Sequence, residues 1–207
     1  SGDLGRASRA ILRDPEVPVV VNAIRAIQQI AESTRRGVTA ALVRQLSHRE
    51  PYVRVTAATA LGERFAFVGA DSAGRLALLD SLRAHLADPD AATRGAIARA
   101  LLRQGSEPEL IRISALLSDD SSLYTRVAVM GAWPRGSTGA LFPWLERGNP
   151  LFARMAAADR LGELKERAAA PALRAGLADT SLLFVASCAG ALASLGCIGG
   201  DDGHGVR

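Results

Sequence analysis

One phrase keeps returning along this chain, and it constrains the fold more than any composition figure. It reads "REPYVRVTAATALGERF" at 49–65, "DPDAATRGAIARALLRQG" at 88–105 and "GNPLFARMAAADRLGEL" at 148–164. A helix that grips a ligand need be written only once. A phrase recurring every thirty-odd residues means that one supersecondary unit is stacked on copies of itself. Alignment gives six copies, with Val20, Arg54, Arg94, Arg126, Arg154 and Val185 at one shared position, here called n. Successive copies are 34, 40, 32, 28 and 31 residues apart. Seven residues after n come Ile27, Leu61, Leu101, Trp133, Leu161 and Leu192, two helical turns further along the same face.

Each copy reads as two antiparallel helices. The third begins with Leu76, Leu79, Leu82 and Leu86 on one stripe. Asp88-Pro89 then reads as an N-cap followed by proline at the first helical position, and Asp14-Pro15 and Asn149-Pro150 repeat the pattern. Asp120 or Ser121, and Asp179 or Thr180, read as caps without proline, and Gly62, Gly162 and Gly196 as C-terminal caps. The expected helices are 4–13, 17–31, 37–47, 51–66, 72–87, 90–104, 107–118, 121–133, 137–147, 150–164, 166–178 and 181–195. Aromatic residues are only 4% of the chain while apolar residues are 48%, so the core is built from small side chains that suit close helix packing.

The segments "PYVRVTAATALG", "AATRGAIARALL", "PLFARMAAADRLG" and "FVASCAGALASLG" make residues 14–196 similar to HEAT repeats, in the short bacterial form also found in the phycobilin lyases. The resemblance implies an all-α fold: a right-handed α-α superhelix of about six HEAT-like helix pairs, roughly 50–60 Å long if pairs stack at about 10 Å. Residues 1–200 form a single solenoid in this reading, and 201–207 a disordered tail. Family members act mostly as protein-binding scaffolds, with a few enzymes among them, so the fold does not name the function.

Arg54, Arg94, Arg126 and Arg154 form a ladder. Each stands near a helix N-terminus, where the macrodipole disfavours a cation by about 0.3–1 kcal/mol. A placement repeated against that field calls for local partners, and the turn acids Asp14, Asp88, Asp119 and Asp179 are the candidates. The ladder is therefore read as internal bracing rather than as a row of phosphate contacts. The net charge of +4 adds little for nucleic acid, because 24 of the 25 basic residues are arginine and Lys165 is the lone lysine, the mark of a general codon bias.

Immediately after n, the second helices turn toward what the superhelix makes its concave face. The candidate partner-binding residues are Val21, Arg25, Val55, Thr59, Arg99, Val127, Met155 and Asp159, with Gly95, Ala186, Gly131 and Gly190 completing the two rows. A small-residue, partly apolar face with a few charges suits a protein helix or extended peptide. No catalytic, cofactor-binding or metal-binding residue is named. "GAWPRGSTG" at 131–139 lacks both the Lys-Ser/Thr and the preceding strand of a phosphate loop, and Ser137 has no histidine placed as its base. Trp133 and Trp144 raise the HEAT-like DNA glycosylases, but no acid lies between them. The paired His-Glu ligands of HEAT-like hydroxylases are missing, and His48, His85 and His204 fall at unequal repeat positions. Cys188 and Cys197 form no CxxC.

The expected function is therefore non-catalytic binding of a protein or peptide partner. The alternatives are a bilin-lyase-like handler of a chromophore and a nucleic-acid-binding or glycosylase-like solenoid. No secretory signal pattern opens the sequence, and nothing in it names a compartment, for which the cytoplasm is the default. Residues 180–200 carry no charge, but the repeat phrase runs through them and argues against a membrane span. A last repeat without a polar face calls for a cover, and self-association through 181–198 is the expectation.

Overall fold

The computed structural model describes residues 6, 10–29, 39–62, 72–103 and 107–197. Residues 4, 5 and 7–9 of the expected helix 4–13, the expected tail 201–207 with His204, and parts of other expected helices lie outside these residues. Among those described there is no strand, and the helices alternate with short turns. They are α1 (Val17–Gln29), α2 (Thr39–Gln45), α3 (Pro51–Gly62), α4 (Ser72–Ala84), α5 (Ala91–Leu102), α6 (Glu107–Asp119), α7 (Leu123–Gly131), α8 (Leu151–Glu163), α9 (Ala170–Gly176) and α10 (Leu182–Ser194). The fold is an α-solenoid in class. Its contacts gather into two compact units, 1–113 and 114–207. In the first, α3 packs on α1, α2 and α5, and α4 on α5. In the second, α8 packs on α7 and α10, and α9 on α10.

The repeat register is kept to the residue. Position n is the fourth helical residue in all six second helices, and its backbone N–H closes the first helical bond onto residue n−4: Glu16, Glu50, Asp90, Ser122, Pro150 and Ser181. Two residues earlier again, at n−6, a side chain folds back on the turn. Asp14, Asp88, Asp120 and Asp179 each accept the backbone N–H two residues on, at 2.8–2.9 Å, and His48 does so through Nδ1 at 3.1 Å. Asp88-Pro89 is therefore not the cap expected from sequence. The N-cap is Asp90, which accepts from the Thr93 backbone N–H at 2.8 Å, while Asp88 shapes the turn before it. Asp14 likewise precedes its helix, Ser122 and Ser181 are the N-caps of α7 and α10, and Pro150 itself stands at the N-cap of α8.

That same n−6 carboxylate receives the arginine of the preceding repeat. Arg54 donates to Asp88 through Nε and Nη2, both at 2.8 Å, and through Nη1 to the carbonyls of His48 and Arg49 at its own helix entry. Both side chains are buried, at 10% and 6% exposure. Arg154 forks onto Asp179 at 2.5 and 3.4 Å, donates through Nε to the Leu145 carbonyl at 3.3 Å, and lies 3.8 Å from the Phe184 ring centroid. The Arg154 hydrogen bond, with the Ser181 N–H adding to it, holds the Asp179 carboxyl down to about 2. Arg94 donates to the Asp88 and Pro89 carbonyls at 2.8 and 3.1 Å. Of the acids expected as partners, Asp88 and Asp179 take an arginine side chain, Asp14 bonds its own turn, and Asp119 is exposed.

Arg126 is different. Its n−6 counterpart in the next repeat is Gly148, so the slot holds no acid. Its guanidinium lies 5.5 Å from the Trp144 ring centroid, and among the described residues its buried Nε finds no acceptor. The glycine has a local reason: Pro150, two residues on, has no N–H for a turn carboxylate to accept.

The recurring Leu-Gly has a packing cause rather than the capping one expected. Gly162 lies inside α8, where a Cβ would come 2.6 Å from the Ala191 Cα, and a Cβ on Gly62 would come 2.7 Å from the Ala100 Cβ. Glycine lets consecutive second helices approach backbone to backbone. Only Gly196 of the three is a left-handed cap (φ 71°), with Cys197 N–H bonded to the Leu192 carbonyl; Lys165 (φ 54°) fills the equivalent place after α8.

Three further expectations are corrected. Leu76 is exposed, and the buried stripe of α4 is Leu78, Leu79 and Leu82. Residues Thr138–Leu145 form a 3-10 helix rather than the α-helix expected at 137–147; Pro143 inside it donates no backbone bond. The first helix of the last pair is split, a 3-10 turn at Arg167–Ala169 leading into α9.

Replacing Arg54 with Met should lower stability by about 3 kcal/mol, because Asp88 would remain buried without its cation. Chemical unfolding followed by circular dichroism measures this. Gly148→Asp should raise stability by about 0.5–1 kcal/mol by giving Arg126 an acid, and the gain should vanish in an Arg126→Gln background, a double-mutant cycle that isolates the pair.

Candidate functional site

On each second helix, positions n−2, n+1 and n+5 are spaced three and four residues apart and therefore share one stripe. Sequence reasoning started that stripe at n+1 and missed its first member. The missing residue is Tyr52 on α3, Tyr124 on α7, Phe152 on α8 and Leu183 on α10, and all four are exposed. Their signal was present: a large apolar side chain three residues before the row already identified. Each sits one residue before the buried member of its first turn (Val53, Thr125, Ala153 and Phe184), about 100° round the helix from it and so on the outer side.

In the first unit the stripe is partly closed. Val21, expected on the open face, is 3% exposed, because it belongs with Val20, Ile24 and Ile27 to the buried side of α1, against α3. Gly95 on α5 is buried as well, while Val55 is half-buried. Arg25 is exposed, and its guanidinium donates to the Tyr52 hydroxyl and lies 5.8 Å from that ring's centroid, so this aromatic, still exposed, carries a cation of its own fold beside it. Thr59 and Arg99 are exposed and edge a shallow notch where Gly62 meets Ala100, and Arg103 closes its end by donating to the Gly62 carbonyl at 3.0 Å.

In the second unit the stripe is open. Tyr124, Phe152 and Leu183 are 63%, 62% and 56% exposed, on three consecutive second helices in one register. The next row is Val127 and Met155, both half-buried, and Ala186, exposed. In the third row Asp159 is exposed between Gly131 and Gly190, and a Cβ on either glycine would meet only open space. The Ser187 hydroxyl donates to the Asp159 carboxylate, yet partial burial, with Glu163 adding a like charge, holds that carboxyl above the ordinary range. Arg160, its neighbour in sequence, is committed elsewhere: to the Trp133 carbonyl at 2.7 and 2.8 Å and to Glu163 at 2.7 Å.

The residues that suggested enzymes have structural duties. Trp133 is buried and its indole N–H donates to the Ser137 carbonyl at 2.7 Å, while Trp144 stacks under Arg126, so the two do not converge on a base-sized site. His48 holds a turn. His85 bridges the Ser81 carbonyl and the Ser47 hydroxyl, at 2.7 and 3.0 Å, which requires its proton on Nδ1. Cys188 is buried, and that burial pushes its thiol up to about 11; Cys197 is exposed. No helix among the described residues is long and apolar enough to cross a membrane.

A scan against protein-family models gives no match, and neither does a search of curated proteins. Solved structures do resemble the chain. An engineered protein from a structural genomics programme aligns with a TM-score of 0.54 at 16% identity, over 94% of this chain and 96% of that one. A designed armadillo repeat protein aligns at TM-score 0.48 and 16% identity, over 93% and 99% of the two chains. A chain in the structure of Kap95p bound to RanGDP aligns at TM-score 0.58 and 13% identity; it covers 94% of this chain, which spans 28% of that longer one. At such identities the likeness speaks for fold alone, and that fold is the stacked helical repeat.

Proposed function

We propose that this protein is a non-catalytic scaffold, HEAT-like in its repeats, that binds a protein or peptide on the exposed face of its second helices. The observation that carries the reading is the row of Tyr124, Phe152 and Leu183, exposed in register on α7, α8 and α10. A lone exposed apolar residue is ordinary, but three in one repeat position, backed by Val127, Met155 and Ala186, make a contiguous apolar strip. Aromatic side chains at such a strip supply rigid contact area at small entropic cost. The Kap95p–RanGDP structure is one case in which a protein pair is found with this kind of fold. In the first unit, Val55, Thr59, Arg99 and the Arg25–Tyr52 pair form a more polar face available to the same class of partner. The arginine ladder does not favour a phosphate backbone, since the heads of Arg54, Arg94 and Arg154 are spent on acids and carbonyls within the fold.

A second copy of the chain is the other occupant with an observation behind it. Leu182 is 82% exposed beside Leu183, on α10, which carries no charged residue.

Phe152→Asp together with Tyr124→Asp should leave circular dichroism unchanged, because both side chains are mostly in solvent, and should weaken peptide capture from a display library to background. Loss of folding instead would mean the strip is core. For the second copy, sedimentation velocity across a hundredfold dilution should show a dimer that Leu182→Glu abolishes; a monomer at every concentration would leave the strip to other partners.

A further inference from the structure

An occupant that fills the whole open stripe of α8, from Phe152 to Asp159, also covers that acid, and this decides the chemistry of the partner. Along that helix Phe152, Met155 and Asp159 stand in one line, with about 10 Å of helix between first and last. Asp159 is the acid on this line, and the group beside it is the neutral Ser187 hydroxyl. The other carboxylates of the second unit that meet arginines do so elsewhere: Asp179 with Arg154 and Arg147, Glu163 with Arg160. Arg160 is turned to the Trp133 carbonyl and does not neutralise its neighbour.

A partner that buried Asp159 under apolar atoms would strip water from a carboxylate and return nothing. An acidic partner would add repulsion. Both subtract from what the apolar strip returns. A basic side chain reverses the sign. Its aliphatic stem lies on Met155, its head meets the carboxylate, and Gly131 and Gly190, with only open space above them, leave the approach clear on either side. Neighbouring helices stand about 8–10 Å apart, which an extended chain crosses in about three residues at roughly 3.3 Å each. Alternate side chains of an extended chain share a face, so apolar residues two or four positions either side of the basic one, about 7 or 13 Å along, turn toward the neighbouring helices, where Tyr124 and Leu183 stand.

Resting on the peptide-binding reading above, we propose that the occupant of this face is an extended peptide with one arginine or lysine flanked by apolar residues, the cation on Asp159, its stem on Met155 and the apolar neighbours on Tyr124, Phe152 and Leu183.

The test pans a random dodecapeptide display library on the full chain, on Asp159→Asn, on Asp159→Arg and on Phe152→Asp. Each variant is first checked for wild-type circular dichroism; Asp159 is exposed, and the two substitutions there back each other should one fail to fold. The expected result is enrichment of a basic residue flanked by apolar ones on the wild-type chain, loss of the basic preference on Asp159→Asn, and acidic residues in its place on Asp159→Arg. A synthetic peptide of the enriched sequence should bind Asp159→Asn at least about tenfold more weakly than wild type. Apolar peptides without a basic residue, enriched equally on wild type and Asp159→Asn but not on Phe152→Asp, would overturn the inference and leave the peptide-binding reading standing. No enrichment on the wild-type chain beyond that on Phe152→Asp would overturn both.

Discussion

The carboxylate six residues before position n is the interaction on which the stacking depends. Asp88 accepts the Asp90 backbone N–H, which shapes the turn into α5, and both nitrogens of the Arg54 fork, which ties that turn to the preceding repeat. Asp179 does the same with Ser181 and Arg154. A buried arginine near a helix N-terminus is unfavourable in isolation, because desolvation and the helix field both oppose it. It becomes acceptable when an acid takes two of its nitrogens and one or two carbonyls take the third, as at Arg154 and Arg54. The result is register: the arginine reaches its acid only when the two repeats are stacked at the correct offset.

The stacking was legible in the sequence because it obeys a period, and the turns were misread because the sequence supplies two acids where one was assumed. Asp88 and Asp90 are equally good caps on composition. Only the position of Arg94, fixed as the fourth helical residue in every copy, shows that the helix starts at Ala91 and leaves Asp88 outside it. Counting from n puts Val21 on the open face, but in the valine run at 19–21 only Val19 stays exposed, and Val20 and Val21 both join the side of α1 that packs on α3. The candidate face was legible in its second and third rows and not in its first, because Tyr124 and Phe152 look like core residues until the buried side of each helix is known to begin one residue later, at Thr125 and Ala153.

Gly148 shows how local chemistry and long-range bracing are coupled. Where Pro150 removes the backbone N–H, the turn acid loses its local purpose and glycine appears, and Arg126 in the preceding repeat loses its acid as a consequence. Trp144 under its guanidinium then supplies a weaker attraction in place of a salt bridge. One substitution in a turn thus alters an interaction more than twenty residues away in sequence. In a repeat protein each carboxylate serves two neighbours at once.

The same division of positions explains where function is free to reside. Position n holds the stack in register, n+7 fills the core, and the glycine at n+8 of the second and fifth copies brings consecutive second helices into backbone contact. A change at Arg54, Arg154, Gly62 or Gly162 acts on stacking directly. Positions n−2, n+1 and n+5 face away from all three duties, and there the two units diverge. On α1 and α3 the stripe is partly engaged within the fold, Val21 buried and Arg25 bonded to the still exposed Tyr52. On α7, α8 and α10 no side chain of the described fold covers Tyr124 or Phe152, and the acid below them has only a hydroxyl for company. A surface that keeps large aromatics uncovered above an uncompensated carboxylate is worse as a finished exterior than as one half of an interface, because both defects are relieved by the same occupant.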